Sequence, residues 1–491
     1  MANDDEKDQE GGSGQGSGGR KLDRRDLLMG LSTVPALGAF GYAWNRQRAY
    51  DQAQKEAAAE DEAPPDTDVP EVNVALLGSG AQGQVLLDAM LRIPGLRFRA
   101  VCDIWEEYNQ KRAVRILKKY KFDVNGYTDH REMLDKEKDL DAVIIATPDF
   151  WHAPHTIDCL EAGLHVYCEK EMSNTLEGAR SMVEAARKSG KLLQIGHPRR
   201  SHPRYLHAYE KLLREAQLLG RIVTVNGQWN RAVGPDLGWP ERYAIPDDRL
   251  KQFGFKSMAQ FRNWRWYKGI GGGPIVDLGS HQIDIFSWFL GTNPSAVIAS
   301  GGLDYYDPAT HEWYDTVMTV FEYETEQGRA RAFYQTQTTN GSQGYFENFM
   351  GDQGTMVISE SEANNPGSVY RDPNAPAWDE WVRRGYISTP KLQEMAAQDE
   401  EAVLDVRESI SPDEHRIPVV LRDPYHQPHL QNFFDSVRGT ATLNCPPEVG
   451  FETAVSVLKV NEAIDAQRRL TFQPEASSSR PMESPSAAWR P

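Results

Sequence analysis

Residues 72–83 read VNVALLGSGAQG, and this stretch narrows the folds open to the chain more than any other. A run of apolar and β-branched residues, typical of a strand buried on both faces, ends at Gly78. Gly80 and Gly83 complete a G-x-G-x-x-G spacing, and residues 83–92 continue as a helix-like run. Each glycine has its own task in such a turn. The first permits a tight reversal, the second lets main chain approach a pyrophosphate, and the third lets helix meet strand. The helix N-terminus then faces the phosphates with its free N–H groups. The next strand-like run, 97–102, leads into Asp103, at the place where an acid binds the adenosine ribose hydroxyls. No Arg or Lys follows at once to hold a 2′-phosphate, so the turn reads as a site for NAD rather than NADP.

The alternation continues along the chain. Strand-like runs at 142–147 and 192–195, with helix-like runs at 106–119 and 153–162, imply an α/β fold with a parallel doubly wound sheet over 71–198. After about residue 200 strands dominate, at 221–230, 295–301, 315–323, 328–338 and 354–359. That change predicts a second α/β domain over 199–425 with a mostly antiparallel sheet. Within it, 360–424 is polar, charged and rich in Pro and Asn, and reads as a long insertion. Residues 426–472 read as a helical segment packing back on the first domain, and 473–491 as a disordered tail.

The start of the chain carries a different signal. Residues 1–20 are rich in Gly, Ser and acids, and Arg24 and Arg25 directly precede an apolar run at 27–44. Residues 1–45 therefore read as a disordered head with a twin-arginine export signal, and 46–70, rich in Ala, acids and Pro, as a linker. The implied partner is the twin-arginine translocation machinery, and the implied location is periplasmic or cell-envelope. An uncleaved N-terminal anchor is the other reading of the same run. With 54 basic against 71 acidic residues the net charge is −17, which makes the chain a poor candidate for binding nucleic acid, since that needs a basic face. The four cysteines, Cys102, Cys159, Cys168 and Cys445, form no CxxC pair and read as buried free thiols.

Three further stretches hold residues suited to chemistry: ATPDFWH at 146–152, AGLHVYCEKE at 162–171 and GGGPIVDLGSHQID at 271–284. Lys170 follows a strand-like run, so it should emerge at the carboxyl edge of the sheet, where an ammonium can donate to a substrate oxygen. Asp277 and His281 are four residues apart on a helix-like segment, which predicts one shared face. A histidine there suits exchange of a hydroxyl proton, and Asp277 suits holding a hydroxyl or the imidazole. Asp284 is a further neighbour on that segment. Thr147 and Pro148 end a strand-like run, where they can line the nicotinamide ribose. His152, His155 and Cys159 share a helical face, but without a carboxylate they read as packing and cofactor contact, and no metal is expected. NWRWYKG at 263–269 places Trp264 and Arg265 before the glycines as sugar-binding candidates. Arg199, Arg200 and Tyr205 open the second domain as substrate candidates.

With the glycine turn, these ordered motifs resemble the Gfo/Idh/MocA oxidoreductases over roughly residues 72–300, and EVGFETAVSVLKVNEAI extends the likeness. The resemblance implies an N-terminal Rossmann domain, a C-terminal α/β domain with an open sheet, and pyridine-nucleotide chemistry on sugars or polyols. It matches Lys170, Asp277 and His281 to the catalytic set. It assigns Gly78, Gly80, Gly83, Asp103, Thr147, Pro148, His152 and Glu169 to the cofactor, and a homo-oligomer is expected by the same analogy. One departure stands out: the family's Glu-Lys-Pro is Glu169-Lys170-Glu171 here, and Glu171 is expected to favour a charged Lys170 through its own charge.

Three functions fit these residues. The first is an oxidoreductase transferring hydride between a sugar or polyol and NAD. The second is a glycosidase that oxidises its sugar transiently on NAD, and the third is a sugar or nucleotide sensor. Lys170 favours the first. Export adds a constraint, because the twin-arginine route carries folded proteins. NAD is then expected to travel tightly bound and to be recycled within the site.

Overall fold

The computed structural model describes residues 69–361, 367–389 and 413–472. The readings of head, export signal, most of the linker and tail fall outside these residues.

Among the described residues six parallel strands form the first sheet: β1 (Val72–Leu77), β2 (Leu96–Cys102), β3 (Asn125–Tyr127), β4 (Ala142–Ile145), β5 (His165–Glu169) and β6 (Leu193–Gly196). Their order is β3-β2-β1-β4-β5-β6, so the direction of winding reverses between β1 and β4. The crevice beyond the carboxyl ends of those two strands is where ligands bind in open α/β sheets. The four residues of β4 are all buried, which is why its sequence is apolar without alternation. The crossover helices are α1 (Ala81–Met90), α2 (Lys111–Lys119), α3 (His130–Lys136), α4 (Asp149–Glu161) and α5 (Leu176–Ser189). Local signals bound α5 at both ends. The Thr175 hydroxyl accepts from the Gly178 N–H, and Gly190 closes the helix in the left-handed region.

Among the described residues nine strands form the second sheet: β7 (Ile222–Asn230), β8 (Pro294–Gly302), β9 (Thr316–Thr325), β10 (Gly328–Gln337), β11 (Tyr345–Gly351), β12 (Gly354–Ile358), β13 (Ser368–Arg371), β14 (Asp413–Arg416) and β15 (Leu470–Thr471). Their order is β14-β13-β12-β11-β7-β10-β9-β8-β15, and each neighbouring pair is antiparallel except β7 and β10. Between β7 and β8 come α6 (Gly273–Asp277) and α7 (Gly279–Leu290). Phe286 of α7 seats over Gly227 of β7, where a Cβ would lie 2.6 Å from its ring. That contact holds the inner face of the sheet against the helix.

The structure differs from the sequence reading in the second sheet. Strands β11, β13, β14 and β15 extend it, two of them cut from the 360–424 segment that reads as a loop. The sequence of β14, DEHR, is polar and carries no apolar alternation, so periodicity alone does not reveal it. The C-terminal segment is two helices, α8 (Gln427–Val437) and α9 (Pro447–Ala466). Leu430, Phe433 and Phe434 of α8 join the core of the first lobe. α9 is shared: Ala454 enters the first core, and Val457, Val460 and Ala463 enter the second.

Candidate active site

The glycine turn has the geometry its spacing implies. Gly78 has φ +90°, and a Cβ there would lie 2.7 Å from the Ala146 main chain at the end of β4. At Gly83 a Cβ would lie 2.0 Å from the Gly78 carbonyl oxygen, so helix and strand meet there. Gly80 is different: the nearest atom to an added Cβ is 3.8 Å away, leaving open space above the turn. The N-terminus of α1 has no side-chain cap and no acid in its first turn. Its free N–H groups fit a pyrophosphate, which supplies both the acceptors and the negative charge. Asp103 lies beside this turn. Its Oδ2 accepts from the Ser79 N–H at 2.8 Å and its Oδ1 from the Trp105 N–H at 2.8 Å. The carboxylate thus braces the turn, and Oδ1 keeps acceptor capacity for a ribose hydroxyl. These residues fit NAD.

Thr147 and Pro148 lead from β4 into α4, on the crevice wall. His152 does not reach outward as a cofactor contact. Its ring is buried, and its two nitrogens lie 2.7 Å from the carbonyl oxygens of Thr147 and Glu171. It sits between the loop after β4 and the loop after β5; burial lowers its pKa to about 4 although both carbonyls favour the protonated ring, so as a neutral imidazole it donates to one of them. His155 sits against Thr147 Oγ1 and stacks on Trp151. Among the described residues no group of His, Cys, Asp and Glu is arranged to hold a metal, and all four cysteines are free and buried. Glu169, at the end of β5, accepts from the Tyr167 hydroxyl, and burial raises its pKa to about 7.

Lys170 and Asp277 come from the two lobes and meet. The lysine Nζ donates to the Asp277 main-chain oxygen and lies 3.2 Å from Oδ1 of its carboxylate. Arg265 Nε donates to the same Oδ1 at 3.0 Å. Burial works against the charge on Asp277, but Arg265, Lys170 and Arg231 outweigh it and hold the carboxyl far below its usual range. The regular helix is interrupted at Leu278, between α6 and α7, so Asp277 ends one helix and His281 lies in the next rather than on the single helix their spacing predicts. His281 packs its ring 5.2 Å from that of Trp229 and leaves buried Nδ1 without a partner. Burial first, then Lys170, Arg199, His197 and His426, hold its pKa well below the ordinary value. The imidazole is therefore neutral, with a lone pair free to accept a proton.

Glu171 does not supply the charge expected of it. Its carboxyl is buried, one oxygen accepts from the Met172 N–H and the other has no partner, and burial raises its pKa to about 8. At neutral pH it is mostly protonated, so Asp277, not Glu171, is the counter-charge of Lys170.

Two substrate candidates are withdrawn by the geometry. Tyr205 is fully buried and donates its hydroxyl to Glu347 at 2.6 Å. Arg200 is spent on Asp284, with three hydrogen bonds of 2.7–2.9 Å, and Asp284 also accepts from the Thr453 hydroxyl. Asp284 is thus an anchor between the lobes and not a neighbour of His281 in the chemistry. Arg199 is likewise buried between Glu347 and Glu360. Trp264 and Arg265 stay at the site, with the guanidinium 4.3 Å over the indole ring.

Sequence reasoning missed several groups. Asp149, at the start of α4, is buried, and burial raises its pKa to about 7, with Arg265 and Lys170 acting against the shift. It lies inside the ATPDFWH motif, and its place just after a strand was the available signal. His197 follows β6 and is buried with both ring nitrogens unpartnered. Trp229 and Arg231 stand at the end of β7, in a stretch with no motif to mark them.

Residues 72–197 match the oxidoreductase family described as an NAD-binding Rossmann fold, and residues 212–469 match its C-terminal alpha/beta domain. The chain is similar to inositol 2-dehydrogenase/D-chiro-inositol 3-dehydrogenase of Shouchella clausii, 33% identical over 221 residues, covering 45% of this chain and 53% of the relative. It is 28% identical to D-glucoside 3-dehydrogenase of Escherichia coli K12 over 265 residues, 51% of this chain and 67% of that protein. The chain spans about half the length of several of the curated relatives it matches, and about a quarter to a third of others. The WlbA dehydrogenase from Bordetella pertussis, solved with NADH and UDP-GlcNAcA, shares the fold at a TM-score of 0.60 and 16% identity, over 83% of this chain and 99% of that one.

Proposed function

Because the chain belongs to the Gfo/Idh/MocA oxidoreductase family, whose N-terminal domain is an NAD-binding Rossmann fold, we propose that it oxidises or reduces a hydroxyl-bearing carbon of a sugar or polyol. The observation that carries this reading is the Lys170–Asp277 contact across the lobes, beside a neutral His281. NAD, held by the Gly78–Gly83 turn and Asp103, would supply the hydride acceptor or donor when bound. His281 takes the hydroxyl proton as the carbon is oxidised, and returns it in the reverse direction. Lys170 donates to the same oxygen and stabilises the negative charge that develops there. Asp277 fixes the lysine and can accept from a second hydroxyl. The relatives named inositol and glucoside dehydrogenases support a sugar or polyol as substrate.

The test uses purified protein, with NAD added, and a panel of sugars and polyols. Lasting growth of the reduced-nicotinamide absorbance is expected. Release of an aglycone from glycosides with no net redox change would overturn the reading in favour of the glycosidase.

The reading extends to location and assembly. The Arg24–Arg25 pair before the apolar run supports twin-arginine export, and a folded passenger supports NAD held tightly enough to survive purification. Changing both arginines to lysine is expected to leave the protein in the cytoplasm. Ile298, Met318 and Phe333 expose apolar surface on strands β8 to β10, which supports a homo-oligomer built on that face.

A further inference from the structure

Among the described residues, Arg231 is the cation of this site that has no ion-pair partner. It directly follows β7, and its main-chain N–H donates to the Gln337 carbonyl at 2.8 Å, so β10 pins its backbone. Its guanidinium lies 5.3 Å from the Trp229 ring centroid. That indole also meets the Tyr345 ring, stacked at 4.5 Å, the His281 ring, at 5.2 Å, and the guanidinium of the ion-paired Arg199, at 5.7 Å. The residue is exposed, and its side chain has no carboxylate or carbonyl partner among the described residues.

The charges around it do not balance. Lys170, Arg265 and Arg231 all act on one carboxylate, Asp277, which is already shared by the first two. The other carboxyls of the site are Asp149, Glu169 and Glu171, and burial raises all three to about neutral or above. Asp284, Glu347 and Glu360 are occupied by Arg200 and Arg199. A positive surplus therefore stands beside His281, at the wall formed by Trp229 and Arg231. An exposed arginine is ordinarily just solvated. This one is tethered at its backbone, backed by a ring, and next to the ring that touches the general base. A planar guanidinium held so matches a carboxylate bidentately.

We infer that the substrate is a sugar acid and that Arg231 binds its carboxylate. This rests on the oxidoreductase reading and names its substrate class. Lys170 and Arg265 are already ion-paired to Asp277, which leaves Arg231 to meet the anion, and the hexose phosphate in the test separates a phosphate from a carboxylate. Arg231 sets specificity and takes no part in the proton or hydride transfer.

The experiment measures NAD reduction by glucuronate, galacturonate, gluconate, the matching neutral hexoses and a hexose phosphate. Calorimetric binding of the same acids to the NAD-loaded protein gives a second readout. At least one acid is expected to exceed its neutral counterpart about tenfold or more in kcat/KM. Arg231→Gln should remove most of that preference through KM, Arg231→Lys should keep part of it, and added salt should raise KM for the acid. Equal use of acid and hexose, a preference unchanged in Arg231→Gln, preference for the phosphate, or no binding of any acid would each overturn the inference. Reduction of NAD by neutral sugars alone would overturn it and leave the oxidoreductase reading standing. Acid binding that depends on Arg231 without NAD reduction would do the reverse.

Discussion

Lys170 keeps a largely buried partner of opposite charge in Asp277, while Glu171, one residue on, keeps a carboxyl oxygen with no partner among the described residues. The two neighbours make different predictions. Lys170→Met leaves Asp277 its bond to Arg265, so the site should fold and titrate with NAD as before. Turnover should fall about 10²–10³-fold, the usual cost of losing one donor to a developing oxyanion. Steady-state rates and an NAD binding titration on the same sample check both halves. If turnover survived with cofactor binding intact, the lysine's assigned role would be wrong. Glu171 concerns stability. Its folded pKa of about 8 lies above the ordinary 4.5, so the folded chain binds its proton more tightly than the unfolded one. The stability this contributes is complete below the unfolded value and is lost as pH rises through about 8. Asp149 and Glu169 act with the same sign up to about 7. Buried histidines with lowered pKa, His152, His197 and His281 among them, act with the opposite sign below their ordinary 6.5, so the thermal midpoint should fall only from about pH 6.5 to 8, and Glu171→Gln should flatten that fall. Scans of wild type and variant across the range compare the two slopes.

The turn between β1 and α1 separates two kinds of glycine. A Cβ at Gly83 would lie 2.0 Å from the Gly78 carbonyl oxygen, and main chain must move to admit it. Gly83→Ala should cost about 1–3 kcal/mol of stability, as overpacking does, and should disrupt NAD binding with it. Gly80 has an ordinary φ of −67° and open space above it. Gly80→Ala should therefore fold with an unchanged denaturation midpoint and lose NAD affinity, because its methyl enters the space left for the pyrophosphate. A denaturant curve and an NAD titration on each variant separate these outcomes, and equal stability losses in both would contradict the assignment. The element boundaries carry a similar lesson. The break at Leu278 turns what reads as one helix into α6 and α7, so Asp277 faces Lys170 while His281 packs on Trp229.

Across the whole molecule, helices cover one face of the nine-stranded sheet, and Phe333, Met318 and Ile298 remain exposed on its strands. If that face joins two copies, Phe333→Glu should shift the protein to a smaller species in light scattering while its NAD affinity is retained. An unchanged mass would place the interface elsewhere. The lobes are joined by α9, which feeds both cores, and by Arg199 and Arg200, which leave the end of β6 and pair with acids of the second lobe. Much of the fold is legible in the amino-acid sequence. Runs such as 72–77 and 142–145 are local in origin: burial on both faces makes them apolar, and glycine alone tolerates the turn that follows β1. The motifs around Lys170 and Asp277 are legible for the same reason, because each is a short segment with its own backbone demand. What stays hidden in the sequence depends on partners far along the chain. Lys170 meets a residue 107 positions away and Arg200 one 84 positions away. Whether a polar residue such as Tyr205 or Arg200 faces a substrate or a buried acid is decided by that pairing and by the desolvation it imposes, not by its neighbours in sequence. Local chemistry thus determined the elements and the turn, whereas only tertiary packing decided which charges are cancelled, and so which one, Arg231, is left to bind.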